Sequence, residues 1–164
     1  MADGFVVRPG RDEDALGLIA LVGACFAEYP GCVLDVDGEE PELKAIATSA
    51  RAWGGAFWVV VDDADEVVGS IGWRPGAEVA TIELKKLYIA ARARRRGLAG
   101  RLCGLVTQAA RDRNAHAVVL WTDTRFVDAH RLYERLGFVR LPGERALGDL
   151  SDSREYPYRL AITD

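Results

Sequence analysis

The stretch TIELKKLYIAARARRRGLAGRL, residues 81–102, decides how the rest of the chain is read. Its first nine residues carry apolar side chains at 82, 84, 87 and 89. Successive side chains of a strand point to opposite faces, so strict alternation puts Ile82 and Leu84 on one face and Leu87 and Ile89 on the other. Two readings stay open. One extra residue near Lys85–Lys86, a β-bulge, returns all four to one face and sets Glu83 and Tyr88 together on the other. Alternatively, the strand is buried on both faces and the two lysines snorkel at its end.

The second half, RARRRGLAGRL at 92–102, crowds Arg94, Arg95 and Arg96 onto the mouth of an apolar-periodic helix. A helix N-terminus already carries partial positive charge and favours anions. No Ser, Thr, Asp or Asn stands there to cap its first N–H groups. Gly97 and Gly100 permit close approach to the backbone, and Ala99 keeps the surface small. Uncapped amides, small residues and a strand-to-helix turn suit an external anion, phosphate best of all, and the arginines become favourable once one is bound. A solvated arginine cluster is the plainer alternative. The turn has no Gly-Lys-Ser/Thr, so it is not a P-loop, and no G-x-G-x-x-G, so it is not the dinucleotide fingerprint.

Working outward, FVVRP (5–9) predicts a strand closed by Pro9. DEDALGLIALVGACFAEY (12–29) predicts a helix with acids in its first turn and Leu16, Ile19, Ala20 and Gly23 on one stripe. PGCVLDVDGEEP (30–41) predicts a loop, and ELKAIATSARAW (42–53) a second helix stopped at Gly54–Gly55. AFWVVVD (56–62) and VVGSIGWRP (67–75), joined by a short polar turn, predict a hairpin, and VATIELKKLYIA (79–90) the next strand. GLAGRLCGLVTQAARDRN (97–114) predicts a helix with Leu98, Leu102, Leu105, Val106 and Ala109 on its stripe. AVVLWT (117–122) is apolar throughout, as a buried central strand is. RFVDAHRLYERLG (125–137) predicts a helix stopped by Gly137 at C′. FVRLPGERAL (138–147) and REYPYRLAI (154–162) predict closing strands around a loop. The order β-α-α-β-β-β-α-β-α-β-β describes one α/β domain: a mixed, mostly antiparallel sheet flanked by helices.

Composition narrows the function classes. A chain of 164 residues fits one domain, and 49% hydrophobic with 28% charged residues is a globular balance. A net charge of -4 argues against bulk nucleic-acid or membrane-surface binding and makes the arginine run a local feature. No apolar run approaches the ~20 residues that span a bilayer, and the start has no signal-peptide pattern. Cys25, Cys32 and Cys103 are few, odd in number and without metal-ligand spacing, which predicts reduced thiols in a cytoplasmic protein and no metal site. Cys103 falls within the apolar periodicity of its helix and reads as a small core residue.

RRRGLA (94–99) matches the R/Q-x-x-G-x-G/A pattern of the GNAT family of N-acetyltransferases. IELKKLYI resembles that family's fourth strand, which carries a bulge. AHRLYERLGF (129–138) resembles its second motif, a helix with a tyrosine leading into Gly-Phe and a strand. The resemblance covers the whole chain in element order and is specific over about 80–140. It implies acetyl-CoA as co-substrate and transfer of acetyl to a primary amine. The diphosphate then rests on the N–H groups of Arg95, Arg96, Gly97, Ala99 and Gly100, in the turn that also holds Arg94 and Leu98. The pantetheine arm pairs with the backbone of Leu87, Tyr88 and Ile89, where the strands at 84–89 and 117–122 splay. Among catalytic residues, Glu83 takes the amine's proton, the Leu87 N–H polarises the carbonyl, and Tyr133 protonates the departing thiolate. Salt bridging for Glu83 and packing for Tyr133 are the plainer alternatives. No cysteine stands at a motif position, so direct transfer in a ternary complex is expected. The family often has asparagine where this chain has Phe126, which leaves a pantetheine contact to Asp128 or Thr124, or absent. His130 either contacts the cofactor or packs, and packing is the expected role.

Acceptor specificity is expected from the first two helices, their loop and the late hairpin. Glu28, Asp35, Asp37, Glu39 and Glu40 form an acidic stretch that suits a cationic amine or is simply a solvated loop. Trp53, Trp58 and Trp73 either line the acceptor cleft or belong to the core. The segment 141–156 is a candidate to close over the substrate. The reading favoured is a small-molecule amine acceptor. An open groove would instead favour a protein or peptide acceptor, and Glu83 and Tyr133 pointing away from the thioester would favour a non-catalytic acetyl-CoA sensor. A second copy of the chain is a candidate partner.

Overall fold

The segment AFWVVV alternates between two cores, and the rest of the molecule is arranged around that alternation. The computed structural model describes residues 4–163. In β2 (Ala56–Val61), Phe57, Val59 and Val61 enter one apolar cluster and Val60 enters another on the opposite face. The sheet that divides them has the order β1-β2-β3-β4-β5-β8-β6, with β7 also paired to β8. Its other strands are β1 (Val6–Pro9), β3 (Val67–Pro75), β4 (Thr81–Ile89), β5 (Ala117–Asp123), β6 (Val139–Arg140), β7 (Arg145–Ala146) and β8 (Arg154–Ala161). Every pairing is antiparallel except β4 with β5.

Helices α1 (Ala15–Ala27) and α3 (Ile46–Trp53) cover one face through Leu18, Val22, Ile46 and Ala50. Helices α4 (Leu98–Asp112) and α5 (Val127–Arg135) cover the other through Leu98, Leu102, Val106 and Tyr133. Cys103 is buried among them, as its periodicity predicts. The expected stripe of α1 is displaced: Leu16 is 84% exposed, and Leu18, Leu21, Val22 and Cys25 are buried instead. Almost every residue of ALGLIALVGACFA is apolar or small, so its periodicity does not select a face. The segment expected to be a loop at 30–41 contains a one-turn helix, α2 (Val36–Glu39), whose Gly38 N–H is accepted by the Asp35 side chain. A 3₁₀ turn over Pro41–Ala45 precedes α3, so the second expected helix is part 3₁₀ and part α. The strand expected over 138–147 is two short pieces, β6 and β7.

The bulge in β4 is present. Gly69 and Ser70 of β3 face Ile89 and Tyr88, whereas Gly72 and Trp73 face Lys85 and Leu84. Ile71 alone therefore opposes both Lys86 and Leu87. Ile82, Leu84, Leu87 and Ile89 all contact the α4–α5 core, and Tyr88 packs on the other side. Lys86 takes a left-handed backbone, φ 55°. That conformation costs a non-glycine residue roughly 1–2 kcal/mol. The neighbours offset it: the buried Ser70 hydroxyl donates to the Lys86 carbonyl at 2.7 Å.

Candidate active site

After Glu83, just before the bulge, β4 and β5 separate. Their parallel pairing covers only Thr81–Ala117, Ile82–Val118 and Glu83–Val119. A cleft of about 520 Å³ opens where the ladder stops, bounded by Glu83–Tyr88 on one side and Trp121–Asp123 on the other. This is the splay expected at 84–89 and 117–122. Glu83, Leu87, Tyr88 and Tyr133, four of the expected site residues, border this one cleft.

Tyr133 reaches the cleft from α5. It is buried against Phe138 and Tyr158, with ring centroids 5.6 and 5.9 Å away. Its hydroxyl has no hydrogen-bond partner among the described residues, yet it is not sealed: the one sealed, unpartnered side-chain polar atom among them is Trp73 Nε1. Burial drives its pKa well above the usual phenol value, with Cys103 and Tyr158 adding to the effect. Glu83 is nearly buried and pairs across the ladder with Arg74, Nε to Oε1 3.0 Å. The plainer role expected for Glu83, a salt bridge, is therefore present together with its place in the cleft. Tyr88 is held edge-on by Phe26 at 5.9 Å, and burial raises its pKa as well.

The turn before α4 lies at the far end of the same strand. Arg95 and Gly97 adopt left-handed backbone, φ 63° and 74°. Gly97 serves as N-cap with no side chain bonding to the helix. The first amide of this region with an acceptor is Arg101, which bonds to the Gly97 carbonyl at 3.0 Å. The N–H groups of residues 95–100 have none among the described residues. Nothing lies within 4 Å of where a Cβ would stand at Gly97 or Gly100. The turn is thus a bare, open row of donors at a helix N-terminus, a geometry that fits a phosphate group.

The three arginines are not equivalent. Arg94 grips Glu28 at the end of α1, with contacts of 2.6 and 2.7 Å, and donates from Nε to the Ile89 carbonyl at 3.0 Å. Its side chain ties the turn to α1, and the paired carboxylate raises its pKa further. Arg96 lies over the Phe5 ring, 5.3 Å from its centroid. Arg95 has no ion pair or side-chain hydrogen bond among the described residues.

The acidic stretch is already satisfied. Glu28 holds Arg94, Asp35 accepts from Gly38, and Asp37 pairs with Lys44. Glu40 joins Glu42 in clamping Lys86 Nζ, each at 2.7 Å. Glu39 accepts the Leu150 N–H at 2.9 Å. That last contact begins a roof over the cleft. Val33 N–H donates to Ser151 Oγ at 2.8 Å, and the Ser151 hydroxyl donates back to the Val33 carbonyl at 3.1 Å. Arg125 bonds Asp123 in bidentate fashion and the Ser151 carbonyl at 3.2 Å. The pKa of Asp123 is pushed up by burial but, on balance, lowered by Arg125. Segment 141–156 therefore bridges to the α1–α3 connection, with Leu147, Gly148 and Asp149 in the cleft wall.

The tryptophans expected either in the cleft or in the core, Trp53, Trp58 and Trp73, pack against the two cores. Trp121 borders the cleft in their place, with Arg145 stacked 4.0 Å from its ring. The uninterrupted apolar run of β5 gave no alternation from which to single it out. Phe126 packs on Tyr29 and Phe26, with centroids 4.8 and 6.4 Å apart, and forms an apolar wall. His130 packs between Tyr156 and Tyr158, its Nε2 2.9 Å from the Asp123 carbonyl. Among the described residues, no group of side chains is arranged to hold a metal, and no helix is long and apolar enough to cross a membrane.

A bulged strand that parts from its parallel neighbour, followed by an uncapped glycine turn, defines an acyl-transfer scaffold. The chain belongs to the Acetyltransferase (GNAT) family, which it matches over residues 22–138. It is 42% identical over 110 residues to N-acetylaspartate synthetase of Homo sapiens, covering 67% of this chain and 35% of that protein. It is 32% identical over 152 residues to mycothiol acetyltransferase of Pseudarthrobacter chlorophenolicus, covering 85% of this chain and 44% of that one. The chain thus spans less than half the length of these two relatives. In structure it resembles a GNAT-family acetyltransferase from Staphylococcus aureus Mu50, with TM-score 0.81, 21% identity and coverage of 97% and 99% of the two chains.

Proposed function

We propose that this chain transfers the acetyl group of acetyl-CoA to a primary amine of a small molecule, directly and within a ternary complex. The observation that carries the reading is the pairing of two features at the two ends of one strand. The bare amides of 95–100 offer a diphosphate site, and the gap that opens after Glu83 brings Glu83 and Tyr133 to one cleft. The distance between them is spanned by β4 residues 84–89, which have no strand partner toward β5 and so suit an extended pantetheine arm.

In this reading an alkyl ammonium with a pKa of roughly 10 must first lose a proton. Glu83 receives it, directly or through water, with its carboxylate held by Arg74. The amine nitrogen then attacks the thioester carbon, and the oxygen's growing charge is met by the Leu87 N–H. The C–N bond forms, the C–S bond breaks, and Tyr133 protonates the departing thiolate. Burial keeps the Tyr133 phenol protonated until that moment, and the same burial disfavours a lingering thiolate.

The roof supports a small acceptor over a protein chain. Contacts from Val33 to Ser151 and from Glu39 to Leu150 tie the late segment to the α1–α3 connection beside the cleft, an arrangement that favours a compact acceptor. The names of the two relatives, which point to aspartate and to mycothiol, agree with that choice. The test is thiol release from acetyl-CoA across polyamines, aminoglycosides, amino acids and peptides. Turnover confined to small amines is expected. Release with peptides alone would move the acceptor to proteins, and tight coenzyme binding without release from any acceptor would make the chain a sensor.

A further inference from the structure

Two adjacent lysines stand at the bulge and are treated in opposite ways. Lys86 is only 7% exposed and fully neutralised by Glu40 and Glu42. Lys85 borders the cleft, is half-buried, and has no ion pair or hydrogen bond from its ammonium among the described residues. Every carboxylate lining the cleft, by contrast, already has a partner. Glu83 holds Arg74, Glu155 holds Arg145 and Asp123 holds Arg125. Glu40 and Glu42 share Lys86, while Glu39 and Asp149 accept the backbone N–H groups of Leu150 and Ser153. Lys85 is thus the one charged side chain lining the cleft that has no partner of its own among the described residues, in a lining that is acidic by count.

We infer that Lys85 anchors an anionic group of the acceptor, so that the amine acetylated here belongs to a molecule that also carries a carboxylate, as amino acids do. The inference rests on the reading of this cleft as the acceptor site. Lys85 lies two residues from Glu83 along β4, on the same face of the strand, so one molecule can place its amine at Glu83 and its carboxylate at Lys85. An ammonium withdrawn from water without a counter-charge is destabilised, and an arriving carboxylate removes that penalty. The pKa of Lys85 agrees: burial lowers it most, Arg74 and Lys86 lower it further, and Glu83 and Glu42 oppose the shift without reaching ion-pair distance. A zwitterion suits the whole cleft, with its ammonium toward the acidic lining and its carboxylate at Lys85.

The experiment compares matched acceptors that differ by one carboxylate: L-alanine with ethylamine, and L-aspartate with 3-aminopropanoate. Thiol release is followed in the wild type, Lys85→Met and Lys85→Arg. The wild type is expected to prefer the member with the extra carboxylate by at least about tenfold in kcat/KM, as a charged hydrogen bond would give. Lys85→Met removes that preference, chiefly through KM, while Lys85→Arg keeps part of it. Equal rates within each wild-type pair overturn the anchor and leave the acetyltransferase reading standing. An equal fall in kcat for all amines in Lys85→Met overturns it too, since that marks a base or a structural role. Should no acceptor be turned over, the same compounds are titrated calorimetrically into protein saturated with coenzyme A. Binding of the carboxylate-rich members that is lost in Lys85→Met supports the anchor, and absence of such binding overturns it.

Discussion

The two ends of the cleft are built on opposite plans. At the end toward α4, the donors are main-chain amides of residues 95–100, they have no partners in the protein, and the glycines beside them face open space. At the other end almost every charge is a side chain, and almost every one is already paired. A bare row of amides recognises what all acyl-CoA molecules share, because a diphosphate needs only N–H groups and space. A network of satisfied side chains discriminates, because a ligand that cannot match its remaining vacancy leaves buried charge unpaired. In the proposed reading, the difference separates recognition of a common acyl donor from selection of a particular acceptor.

Gly100→Glu should break the comparison most sharply. The site has room for the side chain, so the fold is expected to keep its melting temperature, while a carboxylate beside the bare amides repels a diphosphate and supplies its own cap. Coenzyme A affinity measured by calorimetry should fall by at least about 100-fold, the scale of two charge-assisted hydrogen bonds. Unchanged affinity would place the diphosphate elsewhere.

Tyr133→Phe acts at the junction of the two ends. We expect kcat to fall by about 100-fold, typical of a lost general acid, with coenzyme affinity unaltered. Because burial holds this phenol well above its usual value, Tyr133 itself should add no alkaline decline in kcat below a pH of about 10. A variant that turns over at the wild-type rate would remove Tyr133 from the acid role.

Ser151→Ala should sharpen the comparison with the smallest effect. It removes both hydrogen bonds to Val33 and opens the roof at one point. Leaving two backbone groups without their partner is worth about 1–2 kcal/mol, so the acceptor's KM should rise roughly tenfold while coenzyme affinity stays constant. Equal weakening of both ligands would show that the roof is general scaffolding.

The same contrast explains what could be read from the chain before it was seen folded. The donor end is local. The parity change in TIELKKLYI, the missing cap and the glycine spacing all fall within 22 consecutive residues, and the bulge and open turn sit where they were expected. The acceptor end is assembled from distant pieces. Val33 meets Ser151 118 positions away, Leu150 meets Glu39 111 positions away, and Lys86 meets Glu40 46 positions away. No periodicity carries such pairings, so the sequence leaves the acidic stretch open to a cationic acceptor and does not single out Lys85. Helix α1 failed for a related reason: an almost wholly apolar helix has no intrinsic face, and packing chose Leu18 and Val22 over Leu16.

What the sequence determined by itself was therefore the family, the element order and the backbone device of the bulge and turn, because strand parity, capping and glycine conformations act over a few neighbouring residues. What only the tertiary structure decided was the side-chain pairing around the cleft: which carboxylates are matched, that a roof joins residues 33–39 to 150–151, and that Lys85 is left without an ion-pair partner among the described residues. Charges acquire partners by proximity in space, and proximity between segments more than a hundred residues apart exists only once the sheet has brought them together.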